Sequence, residues 1–316
     1  MVSGKTAVIA LGGNAISPSG NSNIHDEFAS TRQSMRAIIS SFVKNNYRIV
    51  ITHGNGPQVG NELQRVELAK GIVPDVPLGV LVAETQGSIG YMIEQSLQNE
   101  LKKANYNLQV VTILSQVLID INDNENRIPK KYIGQYFSKE KAEKFSKEND
   151  WVIKEVPNKG WRRIVPSPKP MEIINHKLIS NLLDQNAIVI ASGGGGIPVY
   201  LDENGNYEGF DAVIDKDLAS AVLAKDISAD ELIILTAVDN VYLNFGEKKQ
   251  KKLNKLTLKE AKYYYKNGQF PDGSMGPKIL SAIKFLESGG KKVIITSIEN
   301  SIDIFQNNKG TVIIKE

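Results

Sequence analysis

The sequence contains no cysteine among its 316 residues. This absence excludes disulfide bonds, thiolate metal sites and cysteine nucleophiles, and it suits a reducing compartment. Only three histidines occur, His25, His53 and His176, and they do not have the spacing of a metal-binding pair. A zinc hydrolase is therefore disfavoured, and the chemistry must come from other residue types.

Long apolar runs and a strong excess of charge are also missing. No stretch approaches the roughly 20 apolar residues of a membrane-spanning helix, and the apolar run at Thr6–Leu11 is too short and too strand-like for a secretory signal. The 38 basic and 35 acidic residues leave a net charge of only +3, which is typical of a mixed surface. We therefore expect a cytoplasmic protein that binds neither membranes nor nucleic acids.

Several catalytic signatures are absent as well. The sequence has no GxxxxGK[ST] phosphate loop, no HRD or DFG motif of protein kinases and no GxSxG nucleophile elbow. The segment at residues 53–60, HGNGPQVG, approaches a dinucleotide-binding fingerprint. One such glycine pattern is weak, and the first strand does not carry the fingerprint. A nicotinamide enzyme is therefore less favoured than an enzyme that handles phosphate.

What the sequence does contain is a repeated alternation of β-branched apolar runs with amphipathic helical patterns. The run at Thr6–Leu11 is followed by a helical pattern over residues 28–44, and similar runs occur at residues 48–52 and 187–191. This repetition predicts an α/β fold, a three-layer αβα sandwich with a mostly parallel central sheet. We interpret the whole chain as a single domain, with an N-terminal lobe over about residues 1–200 and a C-terminal lobe over about residues 201–316.

A polar stretch from about residue 120 to about residue 170 interrupts this alternation. A segment of this length inside a compact fold is either a functional lid or a disordered insert. Its aromatic residues favour order, because disordered segments are usually poor in them. These residues are Tyr132, Tyr136, Phe137, Trp151 and Trp161. We predict a small lid subdomain that projects from the edge of the sheet.

Three of the apolar runs end in glycine clusters. Because parallel strands bring their carboxyl ends to one edge of a sheet, such loops present backbone N–H groups along a common rim, where phosphate and other anions bind. The candidate binding residues are Gly12, Gly13, Asn14, Gly54, Asn55, Gly56, Gly194, Gly195 and Gly196. Tight turns alone are the alternative explanation for the glycines of any single loop. Three loops at one rim favour a phosphate site.

Three lysines stand where a turn or a loop would direct them toward this rim. Lys216 lies between two aspartates ahead of an apolar helix, and Lys278 ends a glycine-rich turn that enters a helix. Lys131 lies in the polar stretch. Lysine provides phosphate with a movable point charge, although a solvated surface role is the alternative for any one of them taken alone.

Ordered motifs over nearly the full length resemble those of the carbamate kinases, in the amino-acid kinase family. The matching segments are residues 10–15, 54–60, 85–91, 160–163, 167–170, 193–198, 211–220, 235–239 and 273–278. The first strand has Ala10 and Leu11 where relatives that phosphorylate acetylglutamate or aspartate typically have a lysine. The family supplies that charge from a lid motif, usually Pro-Thr-Lys-Pro-x-Gly, at the position of Lys131. Here Lys130 and Tyr132 replace the threonine and the second proline, so Lys130 is the alternative for this role.

The resemblance implies a phosphotransferase with a carboxyl-type acceptor, which converts ATP and carbamate into ADP and carbamoyl phosphate, or the reverse. It further implies Mg²⁺ held mainly by the nucleotide phosphates, a homodimer, and a role in making ATP during arginine or agmatine breakdown. Lys131, Lys216 and Lys278 would neutralise the transferred phosphoryl group, and Asp217 would hold the lysines. The implied nucleotide-binding residues are Thr236, Ala237, Val238, Tyr242, Met275, Gly276 and Lys278.

Two alternatives stay open at this point. One is a kinase of the same superfamily that acts on another small acid, which the missing lysine on the first strand disfavours. The other is a non-catalytic ligand-binding protein on the same scaffold. The presence of Lys216, Asp217 and Lys278 together disfavours this second alternative.

Overall fold

The structure, a computed structural model, describes residues 4–17, 23–302, 304–305 and 309–316, without the side chains of Asn14 and Glu125. The strands are β1 (Thr6–Leu11), β2 (Arg48–His53), β3 (Val110–Thr112), β4 (Gln116–Leu118), β5 (Pro129–Phe137), β6 (Ile153–Val156), β7 (Gly160–Pro166), β8 (Glu172–Ile173), β9 (Ile188–Ile190), β10 (Ile197–Leu201), β11 (Tyr207–Gly209), β12 (Glu231–Thr236), β13 (Val241–Leu243), β14 (Lys251–Leu253), β15 (Lys255–Thr257), β16 (Lys292–Ser297) and β17 (Thr311–Ile314). The helices are α1 (Ile24–Ile38), α2 (Gly56–Leu68), α3 (Leu78–Lys103), α4 (Lys139–Asn149), α5 (His176–Asp184), α6 (Lys216–Asp226), α7 (Leu258–Lys266), α8 (Met275–Glu287) and α9 (Ile298–Ser301). Within the described part of the chain, no helix combines the length and the apolar character that a membrane crossing requires.

The central sheet has eight strands in the order β15–β17–β16–β12–β1–β2–β9–β3. Its neighbouring strands are parallel except for β16 and β17, which are antiparallel. All six residues of β1 are buried. A near-continuous apolar strand of this kind fits a parallel sheet that is covered on both faces. The predicted α/β class with a mostly parallel sheet is confirmed.

Helices cover both faces of this sheet, because successive side chains of a strand point to opposite sides. Val8 and Ala10 of β1 belong to a core cluster that includes residues of α5, α6 and α8. Ala7, Ile9 and Leu11 belong to a second cluster that includes residues of α1 and α3. The arrangement is therefore a helix–sheet–helix sandwich.

Two helix boundaries differ from the sequence pattern. The helix predicted over residues 28–44 begins at Ile24, because the side chain of Asn23 accepts hydrogen bonds from the backbone N–H groups of His25 and Asp26. The sequence pattern also predicts a helix over about residues 172–185, and this prediction is wrong at its start. Residues 172 and 173 form β8, which pairs with β4, and the helix begins only at His176.

The polar stretch forms a separate small sheet, β5–β7–β6, with α4 beside it. Phe137, Phe145 and Trp151 pack together there, with ring centroids 5.0 to 6.0 Å apart. The small sheet also contacts α2 closely, since a Cβ built on Gly60 would lie 2.8 Å from the Cα of Gly134. These contacts explain how a polar segment is ordered, and its action as a lid stays a prediction.

Candidate active site

The three glycine loops lie together at one edge of the central sheet. They follow β1, β2 and β9, which are parallel neighbours, so they leave from the same side. A Cβ on Gly54 would lie 3.9 Å from the backbone nitrogen of Gly13. A Cβ on Gly194 would lie 2.2 Å from Nδ2 of Asn55. We call this surface, formed by residues 12–13, 54–56 and 193–196, the glycine floor.

The third loop requires glycine for both conformation and space. Gly194, Gly195 and Gly196 have φ values of +65°, +93° and +87°, in the left-handed region that favours glycine. A Cβ on Gly195 would lie 2.5 Å from the carbonyl oxygen of Ile214, and one on Gly196 would lie 2.1 Å from Cγ2 of Val117. These close approaches let the loop lie flat against its neighbours.

Not every predicted amide is available to a ligand. Four of the N–H groups already donate to backbone carbonyl oxygens: those of Gly12 to Leu235 (2.9 Å), Gly54 to Leu11 (3.2 Å), Gly195 to Ser192 (3.2 Å) and Gly196 to Gly193 (3.0 Å). The expectation that each of these glycines offers a free donor therefore needs correction. Gly13 and Gly56 instead begin helical turns, where N–H groups have no partner within the helix. The predicted side chain of Asn14 lies outside the described residues.

One buried carboxylate holds two of the three candidate lysines. Nζ of Lys216 lies 2.7 Å from Oδ1 of Asp217, and Nζ of Lys278 lies 2.9 Å from Oδ2 of the same residue. Asp215 caps α6 and so fixes the start of the helix, because its Oδ1 accepts the N–H groups of Asp217 (3.0 Å) and Leu218 (3.3 Å). The Lys216–Asp217 contact is a close ion pair whose angles are unfavourable for a hydrogen bond. Among the residues that the structure describes, the buried Nζ of Lys216 meets no well-aligned hydrogen-bond acceptor, although the carboxylate of Asp217 lies beside it.

The electrostatics of this cluster favour an anion. Burial lowers the pKa of the Lys216 ammonium against the opposing charge of Asp217, and the neighbouring charge of Lys278 lowers it further. Burial alone would raise the pKa of the Asp217 carboxyl, but the two ammonium groups outweigh it and hold that pKa well below its usual range. Asp217 is therefore ionised, and one positive charge of the pair stays uncompensated by it.

The third lysine reaches the same place from the small sheet. Nζ of Lys131, on β5, lies 3.2 Å from the carbonyl oxygen of Ile214 and 3.2 Å from Oδ2 of Asp215. The neighbouring Lys130 is exposed. The glycine floor is also close, because a Cβ on Gly54 would lie 4.0 Å from Cδ of Lys216. The structure thus brings all three lysines to one side of the floor.

Two cavities flank Lys278. One of about 210 Å³ is mainly apolar and is lined by the predicted Thr236, Ala237, Val238, Tyr242, Met275 and Lys278, together with Asn240, Phe245, Phe270, Pro271 and Ser274. The other, of about 450 Å³, is more polar; Gly12, Gly13 and Lys278 are among the residues that line it. Gly276 lies outside the lining of both, and its N–H donates to the carbonyl oxygen of Pro271 at 2.9 Å.

Residues 5–297 match the model of the amino acid kinase family. The chain belongs to this family. The carbamate kinase of Thermococcus kodakarensis is 43% identical over 99% of this chain and 100% of its own. The carbamate kinase-like protein YahI of Escherichia coli is 42% identical over 98% of each chain. The structure of Giardia lamblia carbamate kinase bound to AMP-PNP covers 100% of both chains, with 39% identity and a TM-score of 0.91. The chain is therefore a kinase, with the fold of these enzymes.

Sequence reasoning missed several polar residues that support the floor of this kinase. Nδ2 of Asn55 donates to Oγ1 of Thr85 at 2.9 Å, so one of the two N–H donors predicted for a ligand is already engaged. Gln86 pairs with the backbone of Ser115, through Oε1 at 2.8 Å and Nε2 at 3.2 Å. His53 is buried beneath the second loop. The only sequence signal for Thr85 and Gln86 was their place in a motif shared with the amino-acid kinases.

Proposed function

We propose that this kinase transfers a phosphoryl group between ATP and carbamate, forming ADP and carbamoyl phosphate, or runs in reverse. The observation that carries the proposal is the pair of ammonium groups of Lys216 and Lys278, which share the single buried carboxylate of Asp217 and lie beside the glycine floor. Two positive charges that share one negative charge in a buried site are costly unless an anionic ligand balances the second. Full-length relatives that bear the name carbamate kinase support carbamate as the acceptor.

The arrangement suits direct in-line transfer, in which catalysis is mostly positioning and neutralisation of charge. Lys278 lies between the apolar cavity, which we assign to the adenine and ribose, and the polar cavity, which we assign to phosphate groups. Lys216 and the helix-start N–H groups of Gly13 and Gly56 would hold the transferred group. Asp217 would hold Lys216 and Lys278 on its two oxygens and so orient both ammonium groups toward the phosphate groups.

Mg²⁺ fits this site as a companion of the nucleotide. Among the described residues no group of three or more histidine, aspartate or glutamate side chains is placed to hold a metal ion. We propose that phosphate oxygens and water supply the direct ligands, as Mg²⁺ usually prefers. Bound there, the ion would neutralise phosphate charge, while the lysines of the chain hold the oxygens that it leaves free.

The homodimer and the metabolic role rest on the family resemblance, and the cytoplasmic location rests on the composition of the chain. We propose a cytoplasmic homodimer that makes ATP from carbamoyl phosphate during arginine or agmatine breakdown. Light scattering tests the dimer, which would have twice the 34.8 kDa mass of one chain. Comparison of the initial rates in the two directions tests whether formation of ATP is the faster reaction.

The decisive experiment supplies ADP, Mg²⁺ and carbamoyl phosphate and measures ATP. Rapid formation of ATP is expected. Activity with acetyl phosphate but not with carbamoyl phosphate would indicate a kinase of another small acid, and binding of ADP without turnover would indicate a ligand-binding protein. The Lys216→Met variant is the control, because a contaminating kinase would still form ATP in that preparation.

A further inference from the structure

His53 is a buried titratable residue that the proposed transfer does not use. It ends β2 directly before the second glycine loop, and only 1% of its surface is exposed. We propose that His53 is a positioning residue, whose neutral imidazole fixes the Gly54–Asn55 peptide so that the N–H of Asn55 faces the phosphate site. This inference rests on the proposed function, because it assigns that N–H to the transferred group.

The direction of the peptide follows from one hydrogen bond. Nδ1 of His53 lies 3.1 Å from the carbonyl oxygen of Gly54. A carbonyl oxygen can only accept, so Nδ1 must carry the proton. In a planar trans peptide the C=O group and the following N–H point in opposite directions. Holding the Gly54 oxygen against the buried ring therefore turns the Asn55 N–H toward the open side of the loop.

The other ring edge packs against the third loop. A Cβ on Gly193 would lie 2.3 Å from Nε2 and 2.5 Å from Cε1 of His53. The imidazole thus lies between two of the three loops of the glycine floor and sets their separation. Gln86 closes the same space, since the Cβ on Gly193 would also lie 3.1 Å from its Cγ.

The ring is not a proton carrier at neutral pH. Burial, with a smaller effect from the charge of Lys216, lowers its pKa to about 4, although the hydrogen bond to Gly54 opposes this. A neutral ring with the proton on Nδ1 leaves Nε2 without a proton, and this suits its tight contact with Gly193. In-line phosphoryl transfer to a carboxylate oxygen needs no proton from the protein, so fixing the loop is the role left for His53.

Two substitutions separate the hydrogen bond from packing. In His53→Asn, Nδ2 takes the place of Nδ1 and keeps the donor, whereas His53→Leu fills similar space without one. We expect the leucine variant to lower kcat for ATP formation by roughly tenfold to a hundredfold, and the asparagine variant to stay within roughly threefold. KM for ADP should change little in either variant, because the apolar cavity is formed by other residues. If His53 acted through packing alone, the variant with the lower melting temperature would be the less active one, whether or not it kept the donor.

His176 offers a matched control. Its Nδ1 lies 2.9 Å from the carbonyl oxygen of Ile173, at the start of α5 and outside the glycine floor. His176→Leu loses the same kind of hydrogen bond and should leave kcat unchanged. Full activity in His53→Leu, or an equal loss in His176→Leu, would overturn the proposal.

A second measurement does not depend on activity. Nitrogen NMR of the histidine-labelled wild-type protein should show a neutral ring with the proton on Nδ1 at pH 7, and the His53→Asn variant assigns that signal. A proton on Nε2 would contradict the inference directly. If the wild-type protein forms no ATP from carbamoyl phosphate, the proposed function fails, while the NMR result still decides the position of the His53 proton.

Discussion

At the scale of single residues, Asp217 decides the charge balance of the site. It is almost fully buried and is paired with both Lys216 and Lys278. If one lysine is removed, the carboxylate keeps the other partner, so the fold should tolerate a substitution that the chemistry does not. If Asp217 itself were removed, two buried ammonium groups would be left close together, which is the costlier state.

Lys216→Met and Lys278→Met should each lower turnover by a factor of about one hundred or more. Loss of one oriented donor in a site of this kind raises the barrier by about 3 kcal/mol. Steady-state rates and thermal melting measure the two effects separately. Lys225→Met is the control on α6, the helix of Lys216, because Lys225 is half exposed and pairs with Asp226. Near-normal turnover in both test variants would remove these lysines from the mechanism.

His53 should make the stability of the protein depend on pH. Its pKa is lowered from 6.5 to about 4 in the folded state, so folding favours the neutral ring. The stabilisation is complete above pH 6.5 and is lost progressively as the pH falls toward 4, by about 3 kcal/mol in all. Urea unfolding of the wild-type and His53→Asn proteins, at pH 7 and pH 4.5, checks this. An equal loss of stability in both proteins would show that His53 is not its source.

Which glycine amides are free could not be predicted from the sequence. The glycine clusters after the apolar runs indicated the positions of the loops correctly. The N–H groups of Gly12 and Gly54, however, are bound by Leu235 and Leu11. These acceptors lie on neighbouring strands, and in the first case more than two hundred residues away in sequence. A local pattern carries no information about such partners, whereas the start of a helical turn, as at Gly13 and Gly56, is locally visible.

At the scale of elements, the small sheet shows what periodicity can and cannot predict. Its aromatic residues indicated order, yet the hydrophobic pattern did not reveal three antiparallel strands. Their pairings are irregular, with register shifts between Pro129 and Lys131 and between Ile133 and Phe137. Such bulges change which side chains share a face. The departure from the family's lid motif left Lys130 and Lys131 as alternatives, and the structure directs Lys131 to Asp215.

Lys131→Ala and Lys130→Ala should separate these two candidates. Lys131 contacts Asp215, which caps the helix of Lys216, so its loss should lower turnover and also weaken substrate binding. The effect should be smaller than that of Lys216→Met, because Lys131 is more exposed. Lys130 is exposed, and its removal should leave kcat and KM near wild type. A wild-type rate in Lys131→Ala with a slow Lys130→Ala would reverse the assignment.

Gly60→Ala should disturb the packing of the small sheet against α2. The added Cβ would lie 2.8 Å from the Cα of Gly134, a backbone atom that cannot rotate away. We expect the strand of Lys131 to shift, with a lower kcat and a modest loss of stability. Gly79→Ala is the matched control, because its Cβ would meet only a side-chain atom of Ile197 at 3.7 Å. Equal activity of the two variants would show that this contact does not position Lys131.

At the scale of the whole molecule, one continuous sheet joins the two predicted lobes. β12, which lies in the predicted C-terminal lobe, pairs with β1 along five residues and lies between β1 and β16. Both core clusters also contain residues from before and after residue 200. The alternation of strands and helices was sufficient to predict the sheet, but strand order was not, because β12 is inserted beside β1 from a distant part of the chain.

This continuity predicts that the protein unfolds as one unit. Calorimetry should show one unfolding transition. ADP should raise the midpoint of that single transition, even though the cavity assigned to the nucleotide lies among residues 236–278 of the predicted C-terminal lobe. At a concentration of 100 times its Kd, a ligand that binds only the folded state adds about 2.7 kcal/mol of stability. Lys278→Met, which lines both cavities, should reduce the shift. Two transitions, of which ADP moves only one, would mean that the lobes fold separately despite the strands they share.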